Sequence, residues 1–377
     1  MKLLVVVDGR LSKPAGAEKQ AILLATSLAK RGHEVVLLGP RFDPGEPIDE
    51  LLDGVCVHKI AYPRIRIVGA LILIAKFIHL LSGRFGSFDA VHVHMAKNLA
   101  AVAGILRPSM RWTLTVKISG AWEFDGGILD PALRKQFLTR LRNHFIRKAD
   151  AIQCISVYTR DRLIEAGYSA ARIQMIPNGV RLPEVNSPIS LQQPDYSPRN
   201  ECVVSFVGRQ VHVKGLDVLL RAWAMLPREY GAKLLLIGDG PERGALEASA
   251  RELGIDGSVT FVGYSNDVDA YLSKSDVYVQ PSRQEGMPNA VLQAMACGLP
   301  IVATAVSGNV DLVIPEQNGI LVPSEDSHAL CEALDNMIRD AGMRARMGRA
   351  SRASAASYDL QRVLDRLETV YKSSVYG

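Results

Sequence analysis

The sequence predicts an α/β protein with two Rossmann-like, doubly wound domains, each built on a parallel sheet, that face a central cleft. Short apolar runs rich in β-branched residues alternate with longer segments of helical periodicity along the whole chain, which is typical of parallel strands joined by crossover helices. The strand–loop–helix–strand plan of residues 3–39 returns at residues 203–238. A chain of 377 residues is also long enough for two separate cores.

The first half of the chain begins with an apolar run that leads through a loop into a helical segment. This segment ends at Gly32, a common residue at the end of a helix, and another apolar run follows at once. The predicted strands of this half are LLVVV (3–7), EVVLLG (34–39), AVHVH (90–94), WTLTV (112–116) and AIQCIS (151–156).

The second half repeats this order around the predicted helix GLDVLLRAWAML (215–226), and further helices are predicted over 343–373. Its predicted strands are VVSFVG (203–208), AKLLLIG (232–238), SVTFVG (258–263), VYVQ (277–280) and PIVAT (300–304). Between the halves, residues 177–200 are rich in Pro, Asn and Ser and have no periodicity, which predicts a linker. In doubly wound sheets ligands bind beyond the carboxyl ends of the strands, so function is sought in the loops that follow them.

Composition favours a soluble protein of the reducing cytoplasm. The apolar run at the N-terminus ends at Asp8 without the small-residue cleavage site of a signal peptide. The cysteines are odd in number and far apart, so neither a disulfide framework nor a zinc site is indicated; they are Cys56, Cys154, Cys202, Cys297 and Cys331.

The charge is unevenly distributed between the halves. Residues 1–183 carry 26 Lys and Arg against 15 Asp and Glu, a balance of +11, whereas the remainder carries 18 against 24, a balance of −6. The basic half contains Arg64-Ile65-Arg66, the apolar run VGALILIAKFIHLL (68–81) and the basic segment at 134–148. The apolar run is shorter than the roughly 20 residues that span a bilayer. It is either a core helix or an apolar face that rests on anionic lipid.

Two loops after predicted strands have the composition of anion sites. Gly16 stands just before the first predicted helix, and Arg209 and Lys214 lie in the corresponding loop of the second half. A helix N-terminus that a glycine leaves open, with Arg and Lys beside it, suits a diphosphate. A third helix start, after Gly286, has the same open backbone.

Six motifs follow one another along nearly the whole chain. They are Gly16-Ala17-Glu18, RGHEV (31–35), PNGV (177–180), Gly208-Arg209 with Lys214-Gly215, GDGPER (238–243) and EGMPNAVLQAMACGLPIVAT (285–304). In this order they resemble the motifs of the family 4 glycosyltransferases. That family has the two-domain GT-B architecture and transfers a sugar from a nucleotide-sugar donor, with retention of anomeric configuration and without a metal.

The resemblance implies a role for each matching residue. Arg209 and Lys214 match the basic pair that holds the donor diphosphate and stabilises it as the leaving group. Glu285 matches the carboxylate that faces the hydroxyls of the donor sugar. Gly16 matches the loop glycine that lets the diphosphate and the acceptor approach. The backbone amides of Gly286 and Met287 are implied to face the phosphate and sugar, with Asn289 beside them.

Two positions depart from the family pattern. Gln293 replaces the second carboxylate, which hydrogen-bonds the ribose, and an amide cannot offer the charge-assisted acceptance of a carboxylate. Lys117 stands where many relatives have a histidine that contacts the donor sugar. His92 and His94, which alternation places on one side of a strand, are alternative histidines that either face the cleft on the acceptor or sugar side or are structural.

The resemblance also implies the domains, the mechanism and the partners. We expect an acceptor-side domain over 1–183, joined by a C-terminal helix at 357–377, and a nucleotide-sugar domain over 200–356. Front-face attack assisted by the departing phosphate is expected, so no covalent glycosyl-enzyme forms. A UDP-sugar donor, a glycan or polyprenyl-linked acceptor for surface polysaccharide or glycolipid, and no nucleic acid are expected. The enzyme would then lie in the cytoplasm, peripherally on the inner face of the plasma membrane.

Other functions remain as alternatives. A NAD-dependent dehydrogenase would need a GxGxxG turn after the first strand, which the chain lacks. Asp267-Val268-Asp269 resembles the metal-binding pair of other transferases, although Asp267 is better placed to cap a helix. A sugar-nucleotide epimerase of the same architecture, or a non-catalytic nucleotide-sugar-binding partner of a transferase, would share the motifs.

Overall fold

The structure, a computed structural model, describes residues 1–12, 14–84, 87–120, 123, 126–183 and 201–373. They form two compact units, one made of Met1–Asn178 and the chain from Gln361 on, the other of Gly179–Leu360. Each unit has its own sheet and its own apolar core. The prediction of two parallel-sheet α/β domains is therefore confirmed.

The first unit is built on an eight-stranded sheet. Its strands are β1 (Lys2–Val7), β2 (Glu34–Pro40), β3 (Asp49–Leu52), β4 (Val55–Ile60), β5 (Ala90–His94), β6 (Thr113–Ile118), β7 (Ala151–Cys154) and β8 (Ile173–Met175). They lie in the order β3-β4-β2-β1-β5-β6-β7-β8, and neighbours are parallel except for the antiparallel pair β3 and β4 at one edge. The helices between them are α1 (Gly16–Lys30), α2 (Arg66–His79), α3 (Asn98–Leu106), α4 (Phe137–Ile146) and α5 (Val157–Glu165).

The second unit is built on a six-stranded sheet in which all neighbours are parallel. Its strands are β9 (Val203–Val207), β10 (Lys233–Ile237), β11 (Val259–Gly263), β12 (Val277–Gln280), β13 (Ile301–Thr304) and β14 (Gly319–Val322). Their order is β11-β10-β9-β12-β13-β14. The helices are α6 (Leu216–Ala224), α7 (Arg243–Glu252), α8 (Val268–Leu272), α9 (Asn289–Ala296), α10 (Ser327–Arg339) and α11 (Ala341–Ala355).

The chain returns to the first unit through α12 (Leu360–Ser373). The boundaries between the units fall after Asn178 and after Leu360, so residues 179–183 and 357–360 group with the second unit, whereas the sequence predicts them in the first. The reason is a pairing between the two crossing segments: the Val180 N–H donates to the Tyr358 carbonyl at 2.9 Å, and the Leu360 N–H donates to the Val180 carbonyl at 2.9 Å. Of the predicted linker, residues 184–200 lie outside the described residues.

At β5 and β6, the two faces of the first sheet differ in chemistry. Val91 and Val93 point with their neighbours into the apolar core beneath α2, α3 and α4. Because side chains alternate along a strand, His92 and His94 point to the opposite face, opposite Thr115 and Lys117 in the register of β5 and β6. Helix α12 packs against this polar face.

The apolar run at 68–81 forms most of α2, which has both buried and exposed apolar side chains. Phe77 is buried in the core, whereas Ile67 and Leu71 are 72% and 61% exposed. Among the described residues, no helix is both long and apolar enough to cross a membrane.

Candidate functional site

A tight glycine-lined turn follows the first strand of the second unit. The backbone of Gly238, with φ 132°, passes so close to Gly208 that a Cβ at position 238 would lie 1.9 Å from the Gly208 carbonyl oxygen. Gln210 is buried and donates through Nε2 to the Gly238 carbonyl at 2.9 Å. Between them, Arg209 is exposed, and its side chain has no partner among the described residues. This turn therefore fixes the backbone and leaves the guanidinium of Arg209 open to a ligand.

Lys214 ends a 3-10 turn, His212–Lys214, directly before α6. Gly215 follows it in the left-handed conformation, with φ 64°, and a Cβ there would lie 2.1 Å from the Pro281 carbonyl oxygen. Glycine is thus required at this position both for its backbone angle and for the space. The close approach brings the loop that carries Lys214 against the loop that follows β12.

Lys214 and Glu285 form an ion pair between these two loops. The Lys214 Nζ lies 2.5 Å from Glu285 Oε1. The same oxygen accepts from Gln280 Nε2 and from Ser282 Oγ, each at 2.7 Å. Glu285 is only 7% exposed, and among the described residues no donor reaches its Oε2. One carboxylate oxygen is thus held in place, and the other remains able to accept from a hydroxyl.

A chain of polar side chains supports Glu285 from beneath. Tyr278 donates to Gln280 Oε1 at 2.7 Å, which orients the amide so that its nitrogen faces Glu285. Thr304 donates to the Ser282 carbonyl at 2.5 Å, and Ser307 donates to the Glu285 carbonyl at 2.8 Å. The sequence motifs did not predict a role for these residues. The pattern that could have indicated it is the alternation of polar side chains at 278, 280 and 282, along and just beyond a buried strand.

Helix α9 begins beside this cluster without a side-chain cap and without an acidic residue in its first turn. Gly286 approaches Gly308 closely, since a Cβ on Gly308 would lie 2.4 Å from the Gly286 carbonyl oxygen. Met287 is buried, and Asn289 and Gln293 are half-buried and lie one turn apart. The positive end of the α9 dipole is therefore not neutralised by a carboxylate on its own first turn.

The predicted site residues of the first unit lie at the carboxyl ends of its strands. Gly16 is the first residue of α1. His94 lies opposite Lys117 in the register of β5 and β6 and is fully buried. Burial lowers the pKa of His94 well below its usual value, and the neighbouring His92 and Lys117 act in the same direction because a second cation beside them is unfavourable.

Lys117 is 4% exposed and so is not a surface lysine. Burial lowers its pKa to about 7, although the charge of Glu123 acts in the opposite direction. Burial also raises the pKa of Glu123 to about 8, against the hydrogen bond that its Oε1 accepts from the Ser119 N–H at 2.9 Å. The end of β6 therefore carries a buried base and a buried acid that both titrate near neutral pH.

His92 has a different environment from His94. Its Nδ1 lies 2.6 Å from the hydroxyl of Tyr371 on α12, and it is 2% exposed. Burial, together with the charge of Lys117, lowers its pKa to about 3, so the ring is neutral. These contacts place His92 in the packing between the sheet and α12.

Asp267 caps α8, as the sequence predicts, through a hydrogen bond from the Ala270 N–H to its Oδ1 at 3.1 Å. In the part of the chain that the structure describes, no group of three or more His, Cys, Asp or Glu side chains is arranged to hold a metal ion.

Two family models together match most of the chain. The model described as "Glycosyltransferase Family 4" matches residues 14–183, and that described as "Glycosyl transferases group 1" matches residues 191–354. The chain belongs to the family 4 glycosyltransferases. The predicted resemblance is thereby confirmed. In the sequence, the boundary between the two matched ranges falls between β8 and β9.

Curated relatives of this glycosyltransferase match over nearly their full length. A lipopolysaccharide core biosynthesis glycosyltransferase, LpsE, of Rhizobium meliloti is 27% identical over 91% of this chain and 91% of its own. A GDP-mannose-dependent alpha-mannosyltransferase of Mycobacterium tuberculosis is 25% identical over 99% of this chain and 97% of its own.

Solved structures confirm the GT-B fold of the glycosyltransferase. Anabaena HepE in complex with UDP is 22% identical, with a TM-score of 0.77 over 99% of this chain and 100% of its own. Sucrose-phosphate synthase from Thermosynechococcus elongatus is also 22% identical, with a TM-score of 0.80 over 99% of both chains.

Proposed function

We propose that this glycosyltransferase moves a sugar from a UDP-sugar, with retention and without a metal, to a glycan or lipid-linked acceptor of a surface polysaccharide or glycolipid. The observation that carries the proposal is the geometry of Glu285. Lys214, Gln280 and Ser282 hold one of its oxygens, and the other is left to accept from a sugar hydroxyl. The start of α9 and the open guanidinium of Arg209 supply positive charge for a diphosphate.

In the proposed reaction, an acceptor hydroxyl attacks the anomeric carbon on the face that the diphosphate leaves. The bond from that carbon to the diphosphate oxygen breaks, a bond to the acceptor oxygen forms, and the hydroxyl proton passes to the departing phosphate. Lys214 and Arg209 stabilise the charge that gathers on the leaving group. Glu285 orients the donor sugar and forms no covalent bond to it.

Turnover of a panel of labelled nucleotide sugars, with and without lipid-linked acceptors, tests this proposal. We expect transfer from a UDP-sugar in the presence of EDTA, with the anomeric configuration of the product, read by NMR, unchanged. Glu285→Gln and Lys214→Met should each lower kcat by about 10²–10³-fold, as the loss of a charge-stabilising group does. Glu247→Gln is the matched control, because Glu247 also forms an ion pair, with Arg243 at 2.8 Å, but within helix α7.

Other results would point to the alternatives. Free isomerised nucleotide sugar without transfer would identify an epimerase, and binding without turnover of any donor would identify a non-catalytic partner. Inversion at the anomeric carbon, or a covalent glycosyl adduct on a side chain, would refute the proposed mechanism. UDP is favoured as carrier by the HepE complex, while the mannosyltransferase relative uses GDP-mannose, so affinities for UDP and GDP should be compared directly.

The proposed membrane contact rests on the outer surfaces of α2 and α4. A crossover helix runs antiparallel to its strands, so the first turns of both helices lie at the carboxyl edge of the first sheet. Exposed apolar side chains cluster in those turns; they are Ile65, Ile67, Val68 and Leu71 of α2 and Phe137, Leu138 and Leu141 of α4. A groove of about 760 Å³ beside α4 is lined by basic side chains that include Arg134, Arg140 and Arg147, and its lining also includes the acidic side chain of Glu165.

Apolar side chains among cations are typical of a surface that binds anionic lipid. The variant Arg64→Glu, Arg140→Glu, Arg142→Glu should lose most of its binding to liposomes that contain phosphatidylglycerol, because each cation near such a surface contributes about 1 kcal/mol. The matched control reverses Arg221, Arg346 and Arg349, which are exposed on the second unit. Equal liposome binding by both variants would remove the membrane from the proposal.

A further inference from the structure

Arg283 makes the densest set of polar contacts near the proposed donor site. Its guanidinium donates to both oxygens of Asp217, at 2.8 and 2.9 Å. It also donates to both oxygens of Glu325, one of them at 3.1 Å, and to the His212 carbonyl at 2.5 Å. The Arg283 N–H donates to the Val213 carbonyl at 2.8 Å.

These contacts join three separate parts of the second unit. His212 and Val213 precede Lys214 in its 3-10 turn, Asp217 is in the first turn of α6, and Glu325 precedes α10. Arg283 itself stands two residues before Glu285. One side chain therefore fixes the loop that carries Lys214 to the loop that carries Glu285.

The effect of Arg283 on the pKa of Asp217 is consistent with this bridging role. Burial raises the pKa of Asp217, but the hydrogen bonds and charge of Arg283 outweigh it and hold that pKa at about 2. The planar guanidinium can engage two carboxylates at once through paired N–H groups, which a lysine ammonium cannot do. The side chain of Arg283 is only 17% exposed, whereas those of Asp217 and Glu325 are 38% and 54% exposed.

We propose that Arg283 is a positioning residue, which sets Lys214 against Glu285 and so determines where the donor diphosphate is held as it leaves. This inference rests on the proposed function, in which Lys214 contacts the diphosphate. Lys214 has a long, flexible side chain, so the placement of its backbone, together with its ion pair to Glu285, determines where the ammonium can reach. A displacement of about 1 Å in such a group can lower a rate by roughly 10²-fold.

A double-mutant cycle between Arg283 and Lys214 tests this inference. We expect Arg283→Met to lower kcat by about 10–10²-fold and to weaken UDP binding, measured by calorimetry, by about fivefold. In the Lys214→Met background, Arg283→Met should add less than about threefold to either loss, because it acts through a group that is already absent. Arg283→Lys should restore only part of kcat, since it keeps the charge but not the paired contacts.

Arg221→Ala is the matched control. Arg221 also pairs with Asp217, at 3.3 Å, but it is exposed and does not reach the loop that carries Glu285. We expect this variant to keep wild-type kcat and UDP affinity. Melting temperatures of all variants show whether any effect on turnover is only a loss of folded protein.

The outcomes separate the two proposals. If the wild type transfers sugar and the losses from Arg283→Met and Lys214→Met multiply, Arg283 does not act through Lys214 and this inference is wrong. If no donor is turned over but the cycle in UDP affinity shows the expected coupling, the proposed function is wrong and the positioning role stands. A protein that binds neither UDP nor GDP overturns both.

Discussion

Gln293 is an amide, so at this position helix α9 offers a nucleotide no carboxylate. It is half-buried one turn beyond Asn289, on a helix whose first turn has no acid. We predict that Gln293→Glu tightens UDP binding by about 5–10-fold, because a carboxylate accepts from the ribose hydroxyls about twice as strongly as an amide does. Calorimetry with UDP and with UMP measures the effect.

Gln284→Glu is the control for this change. It adds the same charge five residues before α9 and should not tighten binding. Weaker UDP binding by Gln293→Glu would show that the amide donates to the nucleotide, or that the new carboxylate repels the diphosphate.

We expect Lys117 to lower the free energy of unfolding while it supports turnover. The unfolded lysine has a pKa near 10.5, and the buried one a pKa of about 7, so at neutral pH the folded state must release a proton or bury a charge. We predict that Lys117→Met raises the free energy of unfolding at pH 7 by about 1–4 kcal/mol and lowers kcat by about tenfold. Urea titration and donor turnover measure the two effects.

The size of this gain in stability depends on pH. The gain in stability should be largest at and below pH 7 and should vanish as the pH rises through 10.5, where the unfolded lysine is neutral too. Glu123 remains neutral in the variant at pH 7, because its pKa is raised to about 8. Exposed Lys135→Met is the control, and a destabilised but active Lys117→Met would contradict the assignment of Lys117 to the donor.

At the scale of elements, helix α12 is fastened to the first sheet by polar contacts. Tyr371 bonds His92 through its hydroxyl and accepts from Thr113 through its carbonyl, at 3.1 Å. Arg31 at the end of α1 donates to Asp365 at 2.7 Å and to Glu368 at 2.9 Å. The helix therefore depends on groups whose hydrogen bonds are specific in direction and in protonation state.

This attachment predicts a loss of stability in acid. An unfolded His92 binds a proton below about pH 6.5, whereas the buried ring does not until about pH 3, so the free energy of unfolding falls as the pH falls through that window. We predict that His92→Gln reduces the slope between pH 6 and 4 by about 1.4 kcal/mol per pH unit. The reference is His79→Gln, at an exposed position on α2, and equal slopes in both variants would refute the prediction.

Elements with strong local patterns were predictable from the sequence. The long buried strands and the helices between them follow from apolar runs and helical periodicity. The β3–β4 hairpin could not be predicted in this way, because β3 is short and its four residues are exposed. The loops after β9 and β12 were identified through their residues. Arg283 was not, because its partners Asp217 and Glu325 are 66 and 42 residues away, and no local pattern reports a contact of that range.

At the scale of the whole molecule, the two units have separate apolar cores, so they need not unfold together. We predict that UDP raises the melting temperature of the second unit alone, since the groups proposed to hold the nucleotide lie there. UDP at 100 times its Kd should add about 2.7 kcal/mol to that unit. Calorimetric scans with and without UDP measure the shift.

Core variants assign the transitions to the units. Leu99→Ala in the first core and Leu334→Ala in the second should each lower the melting temperature of one unit. Each substitution should reduce the free energy of unfolding of that unit by about 2–5 kcal/mol. Lys214→Met should lose part of the UDP-dependent shift. A single transition that UDP and both core variants move equally would show that the units unfold as one.

The order of synthesis gives the polar face of the first sheet a further consequence. Residues 1–178 leave the ribosome first, and the whole second unit is made before α12 emerges to cover that face. An apolar face would be exposed to aggregation during this interval. Where α12 packs, on β5 and β6, the nascent sheet presents the polar side chains of His92 and Thr113, so this part of the first unit waits for its last helix with less risk of aggregation.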